Sequence, residues 1–84
     1  MPSLRQLQYL VALDDHRHFG RAAFAVHVSQ PTLSQQLRTL EARLGASLID
    51  RSSNEVQLTP LGRDIASRAR GILVQVRDLS DLAR

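Results

Sequence analysis

The sequence predicts a mainly helical domain of four helices, with a small two-stranded hairpin inserted before the last one. Three observations carry that prediction. Apolar residues recur at spacings of three and four through most of the chain. Small hydroxylated residues stand at the heads of these periodic runs, and one stretch instead carries two short strand-like runs around a polar turn. Eighty-four residues allow one domain with one core, near the lower limit for unaided stability. Aromatics are only 4% of the chain, so that core has to be built from Leu, Val, Ile and Ala.

The elements follow in order. Ser3 and Gln6 have capping-box spacing, and Leu4, Leu7, Leu10 and Val11 trace an apolar face to about Asp15. The stretch "HRHFG" interrupts that pattern. A short second helix then spans roughly Gly20 to Val26, with Ala22, Ala23 and Val26 as its buried side. "HVSQP" is a tight connection, and Pro31 falls in the first turn of the third helix, where its missing N–H is not needed. Leu33, Leu37, Leu40 and Leu44 form the apolar stripe of that helix, and Gly45 is placed to end it. "SLIDR" and "EVQL" read as two short strands around "SSN". Thr59 and Pro60 form an N-cap and N1 pair opening a last helix that runs to the chain end.

Short helix, tight turn and longer helix form the helix-turn-helix plan, in which the second helix enters the DNA major groove. Ala22 and Ala23 supply the small residues that close packing demands. His27 stands where the turn needs tolerance of positive φ. The two strands favour a winged version, a winged helix-turn-helix with a small wing and a long C-terminal linker helix. On periodicity alone a plain three-helix bundle fits as well.

The outward face of the third helix separates these alternatives. It carries Gln30, Pro31, Thr32, Ser34 and Gln35, where solvent-facing positions are usually Glu, Lys or Arg. Gln, Ser and Thr both donate and accept hydrogen bonds, and Thr methyl and Pro suit a thymine methyl, so the set matches base edges. A simply solvated polar face is the bland alternative. Arg38 is placed for a phosphate or a guanine, and Arg5, His18 and Arg21 are further candidates for phosphate contact, His18 also as a helix cap. All 11 basic residues are arginine and the net charge is +3, which leans toward an acidic partner without establishing one.

The last helix carries Ile65, Ala69, Ile72, Val76, Leu79 and Ala83 in steps of four and three, the spacing of a coiled-coil seam. Leu61, Leu73 and Leu82 widen it, so that one flank can pack on its own body while the other meets a second chain. A helix lying only on its own core is the alternative.

Other classes of function fare poorly. There is no cysteine, and His16, His18 and His27 with Asp14 and Asp15 do not have the spacing of a helical zinc motif, so no metal or other cofactor is expected in this segment. No phosphate-binding glycine loop or nucleophile motif is present, which argues against an enzyme. No apolar run approaches the ~20 residues of a membrane span and the N-terminus lacks a signal-peptide core, so the chain reads as cytoplasmic.

At "RAA", "HVSQPTLSQQLRTLE", "RLG" and "VQLTPLG" the sequence resembles the N-terminal DNA-binding domain of LysR-type transcriptional regulators, in matching order over essentially all 84 residues. "YLVAL", "HRHF" and "HVSQPTLS" are most similar to its OxyR-type peroxide-sensing subgroup. The resemblance implies a DNA-binding domain over 1–58, with helix-turn-helix at about 19–38 and wing at about 47–58. It further implies a dimerising linker helix over 59–84 and an effector-binding domain beyond residue 84. Gln30, Pro31, Thr32, Ser34 and Gln35 match the family's groove-facing positions, and Arg51, Ser53 and Asn54 its wing. Expected partners are double-stranded DNA carrying an inverted repeat and a second copy of the chain, with a tetramer for the full-length regulator. Neutral Asn54 and acidic Glu55 stand where many relatives have basic wing residues, which predicts a weak wing with Glu55 turned away from the duplex. A winged helix that binds protein instead of DNA is the remaining alternative.

Overall fold

The computed structural model describes residues 1–52 and 55–84; Ser53 and Asn54, at the expected wing tip, lie outside the described residues. The element order is α1 (Leu4–His16), α2 (Phe19–Ala25), α3 (Gln30–Leu44), β1 (Ile49–Asp50), β2 (Gln57–Leu58) and α4 (Pro60–Leu82). This is the mainly helical plan with a two-stranded hairpin that the sequence predicts.

α1 opens with the expected capping box. The Ser3 hydroxyl accepts from the Gln6 N–H, and the Gln6 side-chain oxygen accepts from the Ser3 N–H. Its buried face is Gln6, Leu7, Tyr9, Leu10, Ala12 and Leu13, wider than a single stripe because α1 packs against α2, α3 and α4 together. Two expected core residues are corrected: Leu4, in the first turn, stays exposed, and Val11 is half-buried at the edge of that wide face.

α1 ends at Arg17, which turns left-handed with φ 53°. α2 then starts one residue earlier than expected, because His18 is its N-cap and accepts from the Arg21 N–H through Nδ1. Ala22 and Ala23 are buried, and Val26, expected inside the helix, caps it half-buried. His27 makes the turn at φ 62°, as its position implies. A β-branched side chain is poorly tolerated there. His27→Val is therefore expected to lower stability by about 1–2 kcal/mol and His27→Gly by far less, as measured by urea unfolding.

Ser29 caps α3 by accepting from the Thr32 N–H, Pro31 sits in the first turn, and Gly45 ends the helix at φ 65°. Leu33, Leu37 and Leu40 are fully buried. Leu44, expected to continue the stripe, is exposed because the helix has by then run past the packed body. Leu48, Ile49 and Leu58 close the core from the hairpin, joining Leu10, Leu13 and the Leu stripe of α3 in one cluster.

The strands are shorter than expected, two residues each, antiparallel with Ile49 opposite Leu58. Side chains take over the backbone groups that a longer ladder would have paired. One Glu41 carboxylate oxygen accepts from the N–H groups of Leu48 and Ile49, and Asp50 accepts from that of Ser52.

α4 is capped by Thr59, which accepts from the Gly62 N–H while donating to the Ser47 carbonyl. Its 23 residues make a rod of about 34 Å, consistent with a molecule 44 Å in its longest dimension. Gly62, Ala66 and Ala69 are buried against the body. Among the described residues no helix is long and apolar enough to cross a membrane.

Candidate nucleic-acid interface

The two middle helices build the site. With Leu33, Leu37 and Leu40 fixed in the core, the 3.6-residue period of α3 turns Gln30, Pro31, Thr32, Gln35 and Arg38 into solvent on one continuous face. Ser34 is half-buried at its margin. α3 is held in that attitude by polar ties on its flank: the Gln6 amide donates to Gln36, and Arg43 donates to the Met1 carbonyl. The Thr32 hydroxyl accepts from Ser29 at 2.9 Å, which pins its rotamer and leaves its own proton free to donate. All five residues expected to read bases thus lie on the exposed or half-exposed surface of α3, whose own first two turns contain no acid.

The expected phosphate contacts are less concentrated. Arg5 and Arg21 are exposed at the starts of α1 and α2, and Arg38 lies farther along α3. His18 is exposed beside Arg17 in an open depression lined also by Glu55, Val56 and Gln57. Its Nδ1 is occupied by the α2 cap, which leaves Nε2 as the ring nitrogen without a role in that cap.

The wing differs from expectation in one respect. Arg51 donates to Glu41 at 2.9 Å through Nη1, so the guanidinium is held against α3. Glu41, legible in the sequence only as the first acid of α3, is the bracket joining that helix to β1. It went unrecognised because its partners lie seven, eight and ten residues away, at no helical spacing. Glu55 lines a shallow groove between α3 and the hairpin with Phe19, Ser34, Arg38 and Arg51. It therefore shares that groove with Ser34 and Arg38. Ser53 and Asn54 belong to the wing expectation but lie outside the described residues.

Asp50, at the end of β1, has its carboxyl held below its ordinary value of 3.8 by two hydrogen bonds from Ser52, first the hydroxyl and then the backbone N–H. Because the folded state favours the charged form, this hairpin turn is supported above the ordinary carboxylate range and loses that support as pH falls through the lowered value. Ser52→Ala removes the hydroxyl and keeps the N–H. The Asp50 titration midpoint, followed by NMR, is expected to rise toward 3.8.

The seam residues of α4 divide into two groups. Ala69 is buried and Ile65 packs against the core, so these two, expected to face a second chain, are used within their own. They lie on the half of α4 that the body covers. Beyond them Val76 is half-buried while Ile72, Leu79 and Ala83 are exposed, and Val74 and Leu82 add to the uncovered apolar surface.

Comparison with known proteins places this geometry. Residues 4–63 match the family described as bacterial regulatory helix-turn-helix protein, lysR family. The DNA-binding transcriptional dual regulator OxyR of Escherichia coli (strain K12) is 49% identical over 81 residues, covering 96% of this chain and 27% of that protein. The structure of full-length OxyR from Pseudomonas aeruginosa superposes with a TM-score of 0.93 at 44% identity, over 96% of this chain and 28% of that one. The BenM DNA-binding domain, in complex with its benA site 1 DNA, gives 0.91 at 34% identity, over 96% of this chain and 91% of that one. The chain thus spans about a quarter of the length of the curated relatives it matches.

Proposed function

The chain belongs to the lysR family of bacterial regulatory helix-turn-helix proteins, and on that premise we propose that it is a transcription regulator's sequence-specific DNA-binding segment. Residues 1–58 read double-stranded DNA, with α3 in the major groove. Residues 59–84 link two copies into a homodimer on an inverted repeat, and four copies assemble in the full-length regulator. An effector-binding domain follows beyond residue 84. The segment itself needs no catalytic residue, metal or cofactor, and it works in the bacterial cytoplasm.

The observation that carries this reading is the α3 face itself. Gln30, Thr32, Ser34 and Gln35 present both donors and acceptors, and Pro31 an apolar surface, on a helix whose other side is locked into the core. A carboxylate there would be repelled by phosphate, and a row of long cations would grip without discriminating. Half-sites are then one helical turn of roughly 34 Å, or a multiple of it, apart.

Selection from a random DNA pool tests the reading. Gln35→Ala is expected to relax base preference at one or two positions of each half-site, costing about 1–3 kcal/mol in discrimination. Arg5→Ala is expected to weaken binding evenly across sequences and to flatten the salt dependence. An unchanged selected motif for Gln35→Ala would remove α3 from base readout.

A second reading, a winged helix that docks on protein, draws on Phe24, which stands 84% exposed on α2 between Arg21 and His27. Affinity for duplex DNA that falls steeply with salt separates the two, since phosphate neutralisation releases counterions.

A further inference from the structure

The Arg70 guanidinium joins α4 to the last turn of α1. Its Nη2 lies 2.6 Å from Asp14 and 2.8 Å from Asp15, and its Nη1 donates to Asp15 at 3.0 Å. Arg17 adds a second cation, 3.6 Å from the other Asp14 oxygen. Asp14 and Asp15 stand at the C-terminal end of α1, where the helix dipole disfavours negative charge. Two acids at the wrong end of a helix are a local cost, and the fork of Arg70 is what offsets it.

The cluster has a particular place in the fold. One residue beyond α1, Arg17 turns the chain left-handed into His18 and the helix-turn-helix pair. At the other end of the tie, Arg70 is the last α4 residue with a polar contact to the rest of the chain among the described ones, ahead of the exposed Ile72, Leu79 and Leu82. The close apolar contact between α4 and the body, through Gly62, Ile65, Ala66 and Ala69, ends one residue before Arg70, so the tie at the outer end of that contact is polar. Side-to-side swing of the rod is therefore restrained at Arg70.

We infer that the Arg70–Asp14–Asp15 cluster is a positioning element that sets the spacing between the two DNA half-sites, an inference that rests on the homodimer proposed above. If α4 joins the copies through its far half, the angle between α4 and the body decides how far apart the two α3 helices stand. A swing of about 10° moves a point about 20 Å away by about 3.5 Å, close to one base-pair step of a duplex that repeats every 34–36 Å in about 10 pairs. A rigid tie selects one spacer; a loose one accepts neighbours.

The test uses the 84-residue chain, its Arg70→Met variant and an Asp14→Asn/Asp15→Asn double variant that leaves α4 untouched. Each is checked for helical content, for dimerisation by sedimentation, for affinity to a single half-site, and for affinity to operators whose spacer is varied one base pair at a time. Both variants are expected to remain helical, dimeric and unchanged on a single half-site, while the penalty for a one-base-pair change of spacer falls by about threefold or more. A parent that is dimeric with a sharp spacer optimum that both variants retain would overturn the inference and leave the dimer reading standing. A monomeric parent with no spacer preference would overturn both. Loss of the dimer, or of single half-site affinity, in both variants would make the cluster a structural tie and not a positioning one.

Discussion

Gly62→Ala is expected to lower the stability of the chain by about 3 kcal/mol or more, at or above the upper end of what over-packing usually costs. A Cβ on residue 62 would sit on the carbonyl oxygen of Leu48 and 2.9 Å from its carbonyl carbon. Both are backbone atoms, and neither can swing aside as the end of a side chain would. Leu48 is itself fully buried, its N–H bonded to Glu41 and its carbonyl accepting from the Thr59 N–H, so moving it opens the core and the hairpin together. For a domain of this size, whose whole stability is on the order of 4–13 kcal/mol, the loss is a large fraction. The midpoint of thermal unfolding should fall by at least about 12 °C. The same helix supplies a control. Gly71 has nothing within 4 Å of the position its Cβ would take, and Gly71→Ala is expected to raise stability by up to about 1 kcal/mol. Two Gly→Ala changes nine residues apart in one helix should thus have opposite signs. A Gly62→Ala chain as stable as the parent would mean that α4 does not approach the hairpin this closely in solution.

Which parts of this arrangement the sequence made legible follows from the range of the forces involved. Caps and first turns are local: Ser3 with Gln6, Pro31 in the first turn of α3 and Thr59 with Pro60 are each decided within four residues, and all three helix starts stand where the pattern puts them. The His27 turn and the Gly45 stop are equally local, being single left-handed residues. The outward face of α3 was legible because Leu33, Leu37 and Leu40 fix the phase of the helix, and phase assigns every other residue a side. α2 starts one residue before the sequence puts it: Ala22, Ala23 and Val26 fix the buried side of so short a helix but not its first residue, and His18, a candidate cap, is of an uncommon capping type. Contacts across the fold left no trace in the pattern. Glu41 bracketing β1 and holding Arg51, Gly62 lying against Leu48, and Arg70 reaching Asp14 and Asp15 across 56 and 55 positions depend on how the elements pack. The α4 seam was half legible for the same reason. Steps of four and three mark an apolar stripe, but they do not say that the body already covers Ile65 and Ala69 and leaves Ile72, Leu79 and Ala83 bare.

That uncovered half leads to the second large effect, a loss of operator affinity in Ile72→Glu. Ile72 is 43% exposed and Leu79 67%, with Val74 and Leu82 uncovered on the same stretch of α4. A small soluble domain seldom leaves such a run of apolar surface bare without a partner for it. If a second α4 lies along this run, a carboxylate at position 72 has to be desolvated there without a counter-charge, and the pairing fails. The body should be unaffected, because its core reaches α4 only as far as Ala66 and Ala69. The variant is therefore expected to be a folded, helical monomer by sedimentation. Its affinity for a single half-site should match the parent's. Its affinity for an operator with two half-sites should fall by about 10²–10⁴-fold, the advantage that linking two binding events confers. The pair of measurements matters more than either alone, since a misfolded variant would lose both affinities and an intact dimer would lose neither. A fully dimeric Ile72→Glu chain that keeps the parent's operator affinity would place the contact between copies elsewhere than on the far half of α4.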